Sequence, residues 1–295
     1  MKYTIKSSNK PRKKTRKNSK NMSKCNPKNN NNASCFSKNA LLKIINKWNE
    51  KNNNKIIFSN SDSVEILWNL LNKKLQNLCN DELCWSKLPF IKELNDEEIK
   101  HAFRPKMPKS WYKNTREWLS TTDINNVLKQ YQQKYSDFKY IGAIPIDFDN
   151  KDSFGSCIVN EMCSLNINSI KRKNIKRIGV VFNLDKHDEP GSHWVALFID
   201  LNKNNIYFFD SYGIKPPKEV RILMNRLKSQ AKNNNQKIKL FYNNIRHQYK
   251  NSECGVYSIN FIVKLLEGHD YNELIKNKID DDTMNTFRNK FFIKD

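Results

Sequence analysis

Leu41, Leu42, Ile44, Ile45 and Trp48 recur at helical spacing between Asn39 and Glu50, and Asn52-Asn53-Asn54 ends the pattern. Apolar positions three and four apart share one face of a helix, so an amphipathic helix is expected there. Ser61-Asp62-Ser63 then offers capping side chains before Val64, Ile66, Leu67, Leu70, Leu71, Leu75 and Leu78, a second expected helix. Asn95-Asp96-Glu97-Glu98 reads as the start of a third. Residues 37–108 therefore read as a helical arm region. It closes at Arg104-Pro105-Lys106-Met107-Pro108, where two prolines oppose a continuing helix.

The pattern changes after residue 110. Trp118-Leu119 precedes the capping sequence Ser120-Thr121-Thr122-Asp123, and Ile124, Val127, Leu128, Tyr131 and Tyr135 follow at helical spacing. Strands are expected over 140–146 and 177–184. The clearest strand pair is 193–199 and 206–209, joined by 200–205. Both are apolar on both faces, as in central strands covered on each side. Residues 216–232 read as a surface helix and 237–243 as a short strand. Residues 254–266 read as an almost wholly apolar helix ended by Gly268.

Composition sharpens this picture. The 295 residues suit two domains of about 150 residues each, and one large domain also fits. Forty-four asparagines pull mean hydropathy down to -0.81 without adding charge. No apolar run reaches the roughly 18 residues of a membrane helix, so no membrane partner is expected. The basic N-terminus has no apolar stretch behind it, so it does not read as a secretory signal. Formal net charge is +23, and 11 Lys and Arg fall within residues 1–28, before the first acid, Glu50. The densest run is Lys10-Pro11-Arg12-Lys13-Lys14-Thr15-Arg16-Lys17. So charged a segment cannot offset its ordering entropy, and residues 1–36 are expected to be a disordered basic tail. Non-specific contact with nucleic-acid phosphates, a nuclear address and a plain solubility tail all fit it. The seven cysteines are odd in number and none is spaced C-x-x-C. Reduced thiols and no metal are expected.

Cys254 opens the apolar helix and precedes Gly255. A thiolate there faces unpaired N–H groups and the positive end of the helix dipole. Taken alone, the feature is weak, and a small buried structural cysteine explains it better. His193 stands at the entry of one strand and Asp210 at the exit of the next. A hairpin brings these ends together, directly opposite if its loop centres near Leu201-Asn202; a loop centred two residues later slips the pair but keeps both on one face. The acid would orient the imidazole through Nδ1–H and leave Nε2 to take the thiol proton. Gln248, six residues before Cys254, could donate its side-chain amide to an oxyanion. His247, its neighbour, reads as a surface residue, and His187 as part of a loop over the site entrance.

His193-Trp194, Asp210, Gln248 and Ser252-Glu253-Cys254-Gly255-Val256-Tyr257, in that order, resemble the ubiquitin-like-protein (SUMO-type) cysteine proteases. Trp118-Leu119 with Asp123-Ile124 resembles that family's channel motif, although Ser120-Thr121 departs from it. The segments 244–248 and 279–288 resemble the branch found in large DNA viruses. The resemblance implies an α+β, papain-like fold over 109–295, with the nucleophile helix packed on a mixed sheet and the helical arm ahead of it. It implies a catalytic His193, Asp210 and Cys254, an oxyanion donor Gln248, a channel walled by Trp118 and Trp194, and no cofactor. It also implies cleavage after Gly-Gly in viral core polyproteins, in the host cytoplasm and virion, with the nucleus as the alternative. Alternatives are deconjugation of SUMO or ubiquitin, acetyl transfer on the same triad, and a nucleic-acid-binding core protein that uses the basic tail.

Overall fold

The computed structural model describes residues 24–29 and 33–294. The chain divides into two compact units, Met1–Arg104 and Pro105–Asp295. The basic run from Lys10 to Lys17 lies outside the described residues.

The first unit is built on α1 (Lys38–Lys51) and α2 (Val64–Leu75). Ser37 and Ser63 cap them by accepting from the Ala40 and Ile66 N–H groups. Leu41, Ile44 and Ile45 of α1 and Leu67, Leu71 and Leu75 of α2 are buried, the stripes their spacing predicts. Leu78 falls beyond α2 and is exposed. The packed structure starts earlier than residue 37. Cys25, Cys35 and Phe36 are buried, and the Phe36 ring meets Phe103 edge-on at 5.5 Å. The buried Glu82 carboxylate accepts from Ser34 Oγ and from the Cys35 N–H. A few apolar side chains and one buried acceptor thus anchor residues that composition alone assigned to the tail. Cysteine chemistry also differs from expectation. Cys25–Cys35, Cys79–Cys84 and Cys157–Cys163 are paired as disulfides, and Cys254 is the free cysteine.

The second unit holds a five-stranded mixed sheet in the order β1 (Phe138–Pro145), β2 (Arg177–Asn183), β3 (Trp194–Asp200), β4 (Asn205–Phe209), β5 (Lys239–Tyr242). The outer pairs β1–β2 and β4–β5 are parallel, and the inner pairs are antiparallel. One face is covered by α3 (Thr121–Lys134) and α5 (Cys254–Leu266), the other by α4 (Lys218–Lys232). All seven residues of β3 are buried, as a strand between two layers requires. In α5 only Lys264 is not buried, so the helix is apolar all round because it is enclosed all round. Pro105 and Met107 belong to this unit: Ile293 N–H donates to the Pro105 carbonyl, and Met107 N–H donates to the Ile293 carbonyl, each at 2.9 Å.

Candidate active site

The β3–β4 hairpin brings His193 and Asp210 to one edge of the sheet. Its register pairs Ala196 with Phe209 and Asp200 with Asn205. Carried past the strand ends, that register sets Tyr212, not Asp210, across from His193. The slip of two keeps both side chains on one face. His193 Nε2 spans the diagonal to Asp210 Oδ1 at 2.7 Å, with both residues buried. Tyr212 fills the place across the hairpin, its ring parallel to the imidazole with centroids 4.5 Å apart.

The two ring nitrogens exchange the roles expected of them. Nε2 holds the carboxylate, which leaves Nδ1 for Cys254, the other hydrogen-bond partner of the imidazole. Burial works to lower the imidazole pKa. The hydrogen bonds to Asp210 and Cys254 outweigh it and push the pKa up to about 9. The ring therefore carries a proton at neutral pH, between a carboxylate and a sulfur.

Several groups hold the acid in place. Asp210 Oδ1 also accepts from the Tyr212 N–H at 2.9 Å. Asn243, buried, clasps the backbone of Asp210. Its Oδ1 accepts from the Asp210 N–H at 2.9 Å, and its Nδ2 donates to the Asp210 carbonyl at 2.7 Å. The turn after Asp210 needs Gly213, whose φ is +73° and whose Cβ would lie 2.7 Å from the Ile245 carbonyl carbon.

Cys254 is the first residue of α5 and is 2 % exposed. Glu253, the residue before it, is buried, and its carboxylate accepts from Ser252 Oγ at 2.7 Å and from the Arg116 guanidinium at 2.6 Å. Gly255 lets the Trp118-Leu119 segment close on the helix, since a Cβ there would stand 3.0 Å from Leu119 Cβ and 3.4 Å from Trp194 Cδ1. The two indoles differ in setting. Trp194 is 5 % exposed and donates Nε1–H to the Leu119 carbonyl at 2.9 Å, while Trp118 is 43 % exposed. Trp194 thus anchors the segment, and Trp118 presents its ring to solvent.

Gln248 is fully buried in the loop that leads to Cys254. Its Oε1 accepts from Ser211 Oγ at 2.6 Å, and one N–H of its amide donates to the Lys250 carbonyl at 2.7 Å. The amide has a second N–H to offer. The Ser211 carbonyl also accepts from the His247 and Gln248 N–H groups at 2.8 and 2.9 Å. Ser211, Tyr212 and Asn243 therefore organise the site, although sequence reasoning passed over them. Their signal was adjacency: Asp210-Ser211-Tyr212-Gly213 follows a buried strand directly.

The side chains of His247 and His187 find other partners. His247 is not at the surface. It is 4 % exposed, its Nε2 meets the Ile275 carbonyl at 3.1 Å, and burial lowers its pKa. His187, half exposed, meets Asp147 Oδ2 through Nδ1 at 2.6 Å, and that hydrogen bond raises its pKa.

Comparison with known proteins identifies the family of this chain. Residues 136–295 match the Ulp1 protease family, C-terminal catalytic domain, a span that includes His193, Asp210, Gln248 and Cys254. A protein of Acanthamoeba polyphaga mimivirus described as a thiol protease is 33% identical over 218 residues, 72% of this chain and 69% of its own length. A cysteine protease of African swine fever virus is 29% identical over 246 residues, 77% of this chain and 87% of its own. A crystal structure of the African swine fever virus protease shares the fold, with a TM-score of 0.69 at 24% identity, over 93% of this chain and 97% of that one. The chain belongs to the Ulp1 protease family and is a cysteine protease, like these viral relatives.

Proposed function

We propose that this cysteine protease is an endopeptidase that cleaves after Gly-Gly in viral core polyproteins during virion maturation, in the host cytoplasm and the virion. The observation that carries the reading is the buried set Cys254, His193 and Asp210 at the mouth of one helix and one hairpin. Cys254 Sγ attacks the glycyl carbonyl carbon, and the developing oxyanion takes the remaining Gln248 N–H and the Cys254 backbone N–H. Imidazolium Nδ1–H protonates the departing amine as the C–N bond breaks. Water, deprotonated by the now neutral ring, then attacks the thioester, and Cys254 leaves as the thiolate beside the imidazolium so restored. Asp210 keeps the ring oriented through Nε2–H throughout. A glycine pair suits a site where Leu119 and Trp194 already crowd Gly255, because residues without a Cβ thread a narrow passage.

The second reading is a SUMO or ubiquitin deconjugase, favoured by viral relatives that bear the description SUMO-1 cysteine protease. Paired cleavage assays separate the two. One substrate is a polyprotein fragment with an internal Gly-Gly-x site, and the other is a SUMO or ubiquitin C-terminal fusion. Faster cutting of the first is expected, and faster cutting of the fusion would transfer the assignment. Cys254→Ala should abolish both, and turnover by that variant would remove Cys254 from the mechanism.

A further inference from the structure

The loop that carries Gln248 has no regular secondary structure, so something else must hold its amide in place. Two backbone N–H groups just after it, those of Tyr249 and Lys250, both donate to one carboxylate oxygen, Asp281 Oδ2, at 2.8 Å. The other oxygen, Oδ1, accepts from the Tyr257 hydroxyl at 3.2 Å, and that hydroxyl also reaches the Ile279 carbonyl at 2.7 Å. Asp281 is 6 % exposed, and Tyr257 lies one turn along the helix that begins at Cys254. One buried acid therefore ties the Gln248 loop to the nucleophile helix. Its neighbour Asp282 continues the clasp outward, through Lys250 Nζ at 2.7 Å and through Arg116, the residue that also reaches Glu253.

We infer that Asp281 is a positioning residue for the oxyanion donor: it fixes the peptide after Gln248, and so the Lys250 carbonyl that orients the Gln248 amide. The inference rests on the proposed roles of Cys254 and Gln248. Without the carboxylate, two N–H groups lose their acceptor, the loop relaxes, and the amide leaves the place where negative charge develops. The sulfur stays where it is because its helix is enclosed on all sides, and the imidazole because Asp210 and Tyr212 hold it.

The test compares Asp281→Ala and Asp281→Asn in the full chain, with a Gly-Gly peptide substrate and with iodoacetamide, which alkylates Cys254 without forming an oxyanion. In Asp281→Ala, kcat should fall by at least about tenfold, a partial loss of one oxyanion donor, while KM and the Cys254 alkylation rate hold. Asp281→Asn should recover most of kcat. Its Oδ1 can accept both backbone N–H groups, and its Nδ2 can donate to the Tyr257 oxygen. Unchanged kcat in Asp281→Ala overturns the inference. So does alkylation that falls in step with kcat, which marks general loss of structure, or failure of Asn to recover activity. Turnover that survives Cys254→Ala in the chain with Asp281 intact would instead defeat the proposed mechanism itself.

Discussion

His193 keeps its proton well above the pH at which a free imidazole releases it, and the cause can be removed one atom at a time. The Asp210 carboxylate and the Cys254 sulfur hold the ring pKa near 9 against the effect of burial. Protonation of the leaving amine then persists to about that pH, so kcat/KM should fall on its alkaline side near pH 9. Asp210→Asn keeps an oxygen for Nε2–H and removes the charge, so the alkaline limb should move down toward the ordinary histidine range near 6.5. A pH profile whose alkaline limb does not move would mean that Asp210 does not hold the proton. Stability carries the same sign. A raised histidine pKa stabilises the fold fully below the unfolded value near 6.5, and that contribution is lost as pH rises through about 9. Melting temperature should therefore drop between those pH values, and drop less in Asp210→Asn. The residue types were legible in the chain, because Cys, His and Asp each stood at the end of an apolar run. The choice between Nε2 and Nδ1 was not, because it depends on a register that spacing alone leaves open.

That register is decided at the scale of the hairpin loop. Asp200 Oδ1 accepts from the Asn202 and Lys203 N–H groups at 3.0 Å, and Asn204 turns the chain with φ +52°. An Asp side chain that captures backbone N–H groups two and three residues on pulls the turn toward the second strand. The loop centre moves by one residue and the pairing by two. Long elements were legible: α5 runs Cys254–Leu266 as its apolar pattern predicts. Helices of four to six residues, such as Glu82–Trp85 and Asp281–Thr286, complete too few turns to show a period. The cap of α3 was legible and has a consequence for substrate. Ser120 Oγ accepts from the Asp123 N–H at 3.2 Å, and Asp123 Oδ2 accepts from the Ser120 N–H at 2.8 Å. This box fixes the angle at which Trp118-Leu119 enters the helix. Ser120→Ala should cost about 1 kcal/mol in urea unfolding. It should also raise KM for a Gly-Gly peptide while Cys254 alkylation stays unchanged. An unaltered KM would separate the Trp118 segment from substrate binding.

Each unit of the molecule encloses its own apolar side chains, and the point where the chain passes from one to the other predicts how the arm's role can be tested. The two prolines of the 104–108 segment read as a linker ahead of residue 109, and the main-chain bonds of Pro105 and Met107 to Ile293 join that segment to the unit that runs from Pro105. Trp111, 4 % exposed, packs edge-on against Phe292 at 4.9 Å, and Arg288 lies over its ring at 4.5 Å. These contacts join the two ends of the unit and were not legible, because nothing local in the chain connects positions so far apart. A fragment of residues 105–295 should therefore unfold in one cooperative step and alkylate at Cys254 as fast as the whole chain. A fragment that starts after Trp111 should lose roughly 3–5 kcal/mol, the usual cost of emptying a buried Trp site. With the longer fragment in hand, the arm's role becomes a rate comparison between a short Gly-Gly peptide and a folded polyprotein. Retained peptide turnover with slower polyprotein cleavage, the expected result, assigns Met1–Arg104 to substrate docking. Loss of both, with a lower melting temperature, would assign the arm to support of the catalytic fold.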